Sequence, residues 1–210
     1  MIRVMLVDDH AVVRMGFRML LGTAGIEVVA EADSGEQACR DYPEVAPDVV
    51  VMDISMPGMG GLEAIRRLLA HDAAARILAL SALEATAYPQ RVFKAGALGY
   101  LSKRGAPEAL MDAVRTVASG HRYLDAQLGQ KLALAQIQGG GASPADVLTA
   151  REFAVFLQLA QGLGVSQIAD NLKLAPSTVG THLYNIKQKL SAGNQAELTL
   201  VALRWGLIEA

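Results

Sequence analysis

The chain has 210 residues, and at about 150 residues per domain this length suits one domain or two small ones. Hydrophobic residues make up 52% of the chain and charged residues 19%, which is typical of a globular protein and excludes a disordered one. The formal net charge of -2 excludes a strongly basic nucleic-acid coat protein but leaves room for a basic patch on one domain.

Cysteine content and hydropathy narrow the class further. Cys39 is the only cysteine, which excludes an intrachain disulfide and a zinc site built from several cysteines. No run approaches the ~18 apolar residues of a membrane helix, and the first apolar run is broken at Arg3 and ends at Asp8 and Asp9. We therefore expect no signal peptide, no membrane association and a cytoplasmic location.

Strand and helix patterns alternate through residues 1–120. Short apolar runs with strand character are Ile2–Val7, Ile26–Ala30, Val49–Met52, Ile77–Leu80 and Leu98–Leu101. The third run is almost continuously apolar, as expected for a strand that is covered on both faces. Helical spacing separates the runs, and Ser34 with Gln37 predicts a capping box at the second helix. Five β-α units predict an α/β fold with a doubly wound, five-stranded parallel sheet.

A linker follows the predicted sheet domain. Residues 125–138 have helical spacing, and a Gly-rich stretch at 139–143 predicts a flexible joint. We therefore predict a first domain over 1–120, a helical linker over 121–147 and a second domain over 148–210. The first domain is acidic, with 12 Lys/Arg against 15 Asp/Glu, and the second is mildly basic, with five against four.

Four helices are predicted in the second domain, which would make it a small all-α domain. Thr149 and Glu152 have the spacing of a capping box at the start of the first helix. The segments 166–172 and 177–190 lie close together, and such a pair is typical of a helix-turn-helix. The longer segment would be the recognition helix. On charge alone, a small protein-binding helical bundle remains an alternative.

Polar residues follow four of the predicted strands. Asp8 and Asp9 follow the first, Asp53 the third, Ser81 the fourth and Lys103 the fifth. Ligands bind beyond the carboxyl ends of the strands in an open parallel sheet, so these side chains would share one crevice. Clustered carboxylates repel one another unless a cation lies between them. Because the candidate ligands are all oxygens, Mg²⁺ is the predicted cofactor.

Such a cluster could form an aspartyl phosphate. One carboxylate would act as the nucleophile, while Lys103 and Ser81 would bind phosphoryl oxygens. Any one of these residues is ordinary at a strand end, but five together are hard to assign to chance. The same residues would also serve a Mg²⁺-dependent phosphatase, which is therefore an alternative at this point.

Several stretches of the first 120 residues resemble the receiver domain of two-component response regulators. They are Val7–His10, Met52–Pro57 with Gly61, Ala79–Ala82 and Gly96–Lys103. The resemblance implies that a sensor histidine kinase phosphorylates Asp53 and that Asp8, Asp9 and Asp53 hold Mg²⁺. It further implies that Ser81 and Tyr100 rearrange on phosphorylation. It implies no enzymatic activity beyond slow autodephosphorylation at most.

The second domain resembles a LuxR-type helix-turn-helix. Matching stretches are Leu148–Glu152, Ile168–Leu172, Ser177–His182 and Ile186–Leu190. Together the two domains resemble a NarL/FixJ-type response regulator, and residues 120–134 resemble its GacA/UvrY subgroup. The resemblance implies transcription control through double-stranded DNA and a homodimer formed on phosphorylation or DNA binding. A regulator that acts through protein contacts alone remains an alternative.

The predicted recognition helix supplies the candidate DNA contacts. It has no acidic residue between Pro176 and Leu190, which suits phosphates, although two lysines make a weak positive charge. Gly180 departs from the lysine common at this position in the family, so other residues would carry more of the contact. The candidate DNA-binding residues are Thr178, Thr181, His182, Tyr184, Lys187 and Lys189.

Overall fold

The computed structural model describes residues 1–81, 87–103, 105, 107–125, 128–130, 144–205 and 207–208. The chain divides into two compact units. The first comprises Met1–Leu83 and Val92–Gly129, and the second Glu84–Arg91 and Gln130–Ala210. The predicted joint at 139–143 and most of the predicted linker helix lie outside the described residues.

Six parallel strands form the sheet of the first unit, in the order β2-β1-β3-β4-β5-β6. They are β1 (Arg3–Val7), β2 (Glu27–Ala32), β3 (Val49–Asp53), β4 (Ile77–Ser81), β5 (Gly99–Ser102) and β6 (Tyr123–Leu124). The predicted α/β fold with a parallel sheet is confirmed, and the described residues add a short sixth strand to the five predicted ones. The sixth pairs Tyr123 with Gly99 of β5, and two residues are too few to give a periodic signal in the sequence.

The helices of the first unit are α1 (Ala11–Thr23), α2 (Gly35–Val45), α3 (Gly61–His71) and α5 (Pro107–Ala118). Helix α4 (Ala87–Lys94) follows β4 in the chain, and its residues 87–91 belong to the second unit. The capping box predicted for α2 is only half formed. The Ser34 hydroxyl accepts a hydrogen bond from the Gln37 amide, but the Gln37 side chain accepts one from Asp33 instead of Ser34. The helix therefore begins where the sequence predicts, with a different second bond.

Burial of the central strands positions the site. All five residues of β3 are buried, as the continuous apolar run predicts. One hydrophobic core joins Val51 and Leu78 of the sheet to Leu110 and Val114 of α5. Because β1 lies between β2 and β3, and the chain runs from β2 across to β3, the carboxyl ends of β1 and β3 adjoin at the point where the strand order reverses.

The second unit is helical, and the predicted all-α class is confirmed. Its helices are α6 (Pro144–Val147), α7 (Ala150–Ala160), α8 (Val165–Leu172), α9 (Pro176–Leu190) and α10 (Gln195–Arg204). Four match the predicted helices, and the short α6 is additional. Phe153, Phe156, Ile168, Val179 and Leu198 are buried in its core. None of the helices in the described ranges is long and apolar enough to cross a membrane.

Candidate functional site

The carboxyl edge of the sheet gathers the predicted acidic residues. Asp53 is the last residue of β3 and only 2% exposed, while Asp8 follows the neighbouring β1 and is 3% exposed. One ligand atom each from Asp8, Asp9, His10 and Asp53 lie within 4.8 Å of one another. The strand ends therefore bring together the three aspartates that the sequence singled out, and His10 joins them.

Lys103 bridges two of these carboxylates. Its Nζ lies 2.6 Å from Oδ2 of Asp8 and 2.7 Å from Oδ2 of Asp53. The other oxygen of Asp53 accepts a hydrogen bond of 3.0 Å from the backbone amide of Ser55. The Asp53 carboxylate is therefore held in one orientation, with a cation at one oxygen and an amide at the other.

Burial and charge act in opposite directions on this pair. Burial raises the pKa of Asp53, and the nearby Lys103 ammonium only partly opposes that rise. Burial alone would lower the pKa of Lys103, but the Asp53 and Asp8 carboxylates outweigh it and raise that pKa. Lys103 therefore stays protonated at neutral pH and partly compensates two buried carboxylates.

The cluster has the features of a cation site. Oδ1 of Asp9 is buried and, within the described part of the chain, accepts no hydrogen bond, although the His10 Nδ1 lies 3.0 Å away. A buried carboxylate oxygen without a donor is costly unless a cation or water binds it. The buried acidic cluster is thus compatible with a metal ion. His10 borders this site and occupies the N-cap position of α1.

Ser81 and Tyr100 lie on adjacent strands beside the cluster. Ser81 ends β4 and Tyr100 lies in β5, and both side chains are buried. The backbone amide of Lys103 donates a hydrogen bond of 2.8 Å to the carbonyl of Ser81. This bond fixes the lysine directly beyond β4. The two residues predicted to rearrange on phosphorylation thus lie close to Lys103, Tyr100 in the strand that precedes it and Ser81 at the end of the neighbouring strand.

Two further residues support the site without having been assigned a role from the sequence. Arg14 donates hydrogen bonds to the backbone carbonyl of Asp8 and to the Glu31 carboxylate, which ties α1 to β1 and β2. A Cβ atom at Gly61 would lie only 2.1 Å from the carbonyl oxygen of Asp53. Only glycine permits so close an approach. In the sequence, the one indication of this contact was that Gly61 belongs to a stretch that resembles receiver domains.

The second candidate site is the surface of α9. Exposed residues recur at helical spacing along it, and Tyr184 is 65% exposed. Val179 and Ile186 are buried on the opposite face, so both belong to the core of the second unit. The exposed stripe consists of Ser177, Gly180, Thr181, Tyr184 and Gln188. Among the other candidates, Thr178, His182 and Lys187 are half-buried at the margins of this stripe.

The two lysines of α9 have different partners. The Nζ of Lys187 lies 3.2 Å from the backbone carbonyl of Gly193. The Nζ of Lys189 contacts both carboxylate oxygens of Glu152, at 3.0 and 2.7 Å. Sequence reasoning treated the two as equivalent, since it could not detect the carboxylate that approaches from α7.

Comparison with known proteins decides the family. Residues 4–115 match the response regulator receiver domain, and residues 146–202 match the bacterial regulatory proteins of the luxR family. The chain is a response regulator with a LuxR-type regulatory domain. The order of the two domains agrees with the order of the α/β unit and the helical unit.

Relatives agree over the full length. The response regulator GacA of Pseudomonas viridiflava is 42% identical over 100% of this chain and 99% of its own. The response regulator UvrY of Escherichia coli K12 is also 42% identical, over 100% of this chain and 97% of its own. These relatives are named as regulators and not as enzymes, so the phosphatase alternative loses its support.

A solved structure resembles the whole chain. RcsB of Salmonella enterica serovar Typhimurium, bound to the promoter P1flhDC in the presence of phosphomimetic BeF3⁻, is 25% identical. The match covers 95% of this response regulator and 97% of that chain, with a TM-score of 0.67. The two-domain architecture is therefore shared with a transcription regulator.

Proposed function

We propose that this response regulator accepts a phosphoryl group on Asp53 from a sensor histidine kinase and thereby controls transcription by sequence-specific binding of double-stranded DNA. The observation that carries the proposal is the buried Asp53 carboxylate, held by Lys103 and the Ser55 amide beside Asp8. A cation and a second carboxylate at a strand end are what a phosphoacceptor requires.

The chemistry is a phosphoryl transfer onto an Asp53 oxygen. The nitrogen–phosphorus bond of a phosphohistidine, protonated on its other ring nitrogen, breaks while an oxygen–phosphorus bond to Asp53 forms, so the histidine leaves as the neutral ring. Lys103 shifts from the carboxylates to a phosphoryl oxygen. Its charge, kept by the raised pKa, offsets the negative charge that the phosphoryl group brings.

Asp8, Asp9 and Asp53 would hold the Mg²⁺ that this transfer needs. All three offer carboxylate oxygens, and the buried Oδ1 of Asp9, which accepts no hydrogen bond from the described residues, is one that a hard cation would satisfy. When bound, the ion supplies positive charge against which phosphoryl oxygens bind. His10 contributes its backbone amide, which donates to Oδ1 of Asp8 at 2.9 Å and orients that ligand.

Ser81 and Tyr100 are proposed to change position when Asp53 carries a phosphoryl group. The Ser81 hydroxyl would move toward a phosphoryl oxygen, and the buried Tyr100 ring would shift into the volume that this movement frees. Slow autodephosphorylation would reset the site. Since chromosomal DNA is the target, we place the protein in the cytoplasm, and we propose that it binds as a homodimer on two half-sites.

DNA binding is assigned to α9. Its exposed stripe carries Thr181 and Tyr184, with Thr178 and His182 beside them, and none of these positions is acidic. The N-terminal part of a recognition helix faces base edges, while phosphate contacts fix its position. We therefore propose that Thr178, Thr181, His182 and Tyr184 contact bases or sugars, and that Lys187 contacts a phosphate.

Replacing Lys187 with alanine should weaken binding equally on all duplexes and reduce the salt slope of log affinity by about one unit. Replacing Thr181 or Tyr184 should instead weaken binding to the preferred duplex by about 1–3 kcal/mol per lost base contact. The measurement is binding to a duplex selected from a random pool and to random DNA across a salt series. Equal losses on both duplexes for the Thr181 and Tyr184 variants would refute base reading.

A further inference from the structure

An ion pair between the buried Glu152 and the partly exposed Lys189 ties the recognition helix α9 to helix α7. Both carboxylate oxygens of Glu152 accept hydrogen bonds from the Lys189 Nζ, and the Glu152 side chain is only 5% exposed. The same carboxylate accepts a hydrogen bond of 2.7 Å from the backbone amide of Thr149. In return, the Thr149 hydroxyl caps the amide of Glu152 at 3.3 Å, which completes the predicted capping box.

The pair joins helix ends of opposite polarity. Glu152 lies in the first turn of α7, and Lys189 lies in the last turn of α9. A carboxylate is favoured at a helix N-terminus and an ammonium at a C-terminus. The Lys189 side chain is also 37% exposed, so one side of it still faces solvent. The contact therefore fixes one end of α9 to the capped start of α7.

Lys189 has little charge left to offer a phosphate. The Glu152 carboxylate at 2.7 Å neutralises it locally, and separating the pair would leave a buried carboxylate without its cation. The Lys187 Nζ contacts the uncharged carbonyl of Gly193, and no carboxylate of the described residues forms an ion pair with it. The two lysines of one helix thus differ in the property that phosphate binding requires.

We propose that Lys189 is a positioning residue, which sets the orientation of α9 through Glu152 and does not contact the DNA backbone. This inference rests on the proposed DNA-binding function. Thr181 lies eight residues before Lys189, which is about 12 Å along the helix axis. If the contact between Lys189 and Glu152 is lost, a small rotation of α9 about that end displaces the base-reading side chains. Those side chains must be held to within about 0.5 Å.

The test compares Lys189→Met, Glu152→Gln and Lys189→Arg with Lys187→Met as the matched control in the same helix. Binding of the full chain to the selected duplex and to random DNA is measured across a salt series, at a temperature where circular dichroism shows each variant folded. Lys189→Met and Glu152→Gln should both lower affinity for the selected duplex about tenfold, within the range for coupled contacts. Neither should change the salt slope. Lys189→Arg should restore most of the affinity.

Opposite results are expected if Lys189 contacts a phosphate. Lys189→Met would then reduce the salt slope by about one unit, as Lys187→Met should, and Glu152→Gln would leave affinity unchanged or raise it. Either result overturns the proposal, as does wild-type affinity in both variants. A fall of equal size on selected and random DNA would also overturn it, because that pattern indicates lost stability and not lost orientation. Wild-type protein that binds no duplex would instead refute the proposed function itself.

Discussion

Replacing Asp53 with asparagine should abolish labelling of the protein by a small phosphodonor such as acetyl phosphate. The amide has no nucleophilic carboxylate oxygen, and the other carboxylates of the cluster lack the Ser55 amide that orients Asp53. Labelling of the wild-type protein should require Mg²⁺ and disappear with a chelator. Asp9→Ala should weaken labelling at limiting Mg²⁺, since it removes a candidate ligand whose buried Oδ1 accepts no hydrogen bond from the described residues.

Intact mass and a phosphate-affinity gel measure this labelling directly. Asp112→Asn is the matched control, because the Asp112 side chain is 69% exposed on α5 and forms a surface ion pair with Arg115. The control should label like the wild type. Labelling of the Asp53→Asn protein to wild-type level would place the phosphoryl group on another residue and contradict the assignment.

Replacing Lys103 with methionine should lower the free energy of unfolding by about 3–5 kcal/mol in the absence of Mg²⁺. The change removes the one cation within hydrogen-bond reach of both the Asp8 and Asp53 carboxylates in the described structure. Both carboxylates are buried, so solvent cannot replace the lost charge. Urea unfolding followed by circular dichroism gives the difference, with Arg40→Met, whose side chain is 71% exposed on α2, as the control.

Mg²⁺ and acid should each restore part of that loss. Binding of the ion to the folded state stabilises it by about 2.7 kcal/mol at one hundred times its dissociation constant. Burial raises the pKa of Asp53 above its ordinary value of 3.8. Protonation of this carboxyl therefore stabilises the folded state, fully below pH 3.8, and this stabilisation is lost as pH rises through the pKa of the folded state. Removing Lys103 raises this pKa further. A variant that loses less than about 1 kcal/mol, or gains nothing from Mg²⁺ or acid, would contradict this account of the cluster.

The cluster of charged residues at the carboxyl ends of the strands could be predicted from the sequence, because the topology of a parallel sheet brings those ends together. Strand ends in a parallel sheet meet, so Asp8, Asp53 and Lys103 had to approach one another once the alternation of strands and helices was recognised. The buried β3 and the capping box at Thr149 and Glu152 follow from equally local rules.

Contacts between distant segments escaped prediction. Lys189 and Glu152 lie 37 residues apart, and nothing in helical spacing pairs them. The exposed side of α9 could be predicted, but not which of its lysines would be engaged by a neighbouring helix. β6 was missed for a related reason, since Tyr123 and Leu124 become a strand only because the edge of β5 is available to pair with them.

The central claim is that a phosphoryl group on Asp53 controls DNA binding by the full chain. The most direct measurement is the affinity of the wild-type and Asp53→Asn proteins for the selected duplex in Mg²⁺, with and without acetyl phosphate. We expect the phosphodonor to raise the affinity of the wild type, with a dimeric mass by light scattering, and to leave the Asp53→Asn protein unchanged. Equal wild-type affinity with and without the phosphodonor, or the same rise in the variant, would contradict the claim.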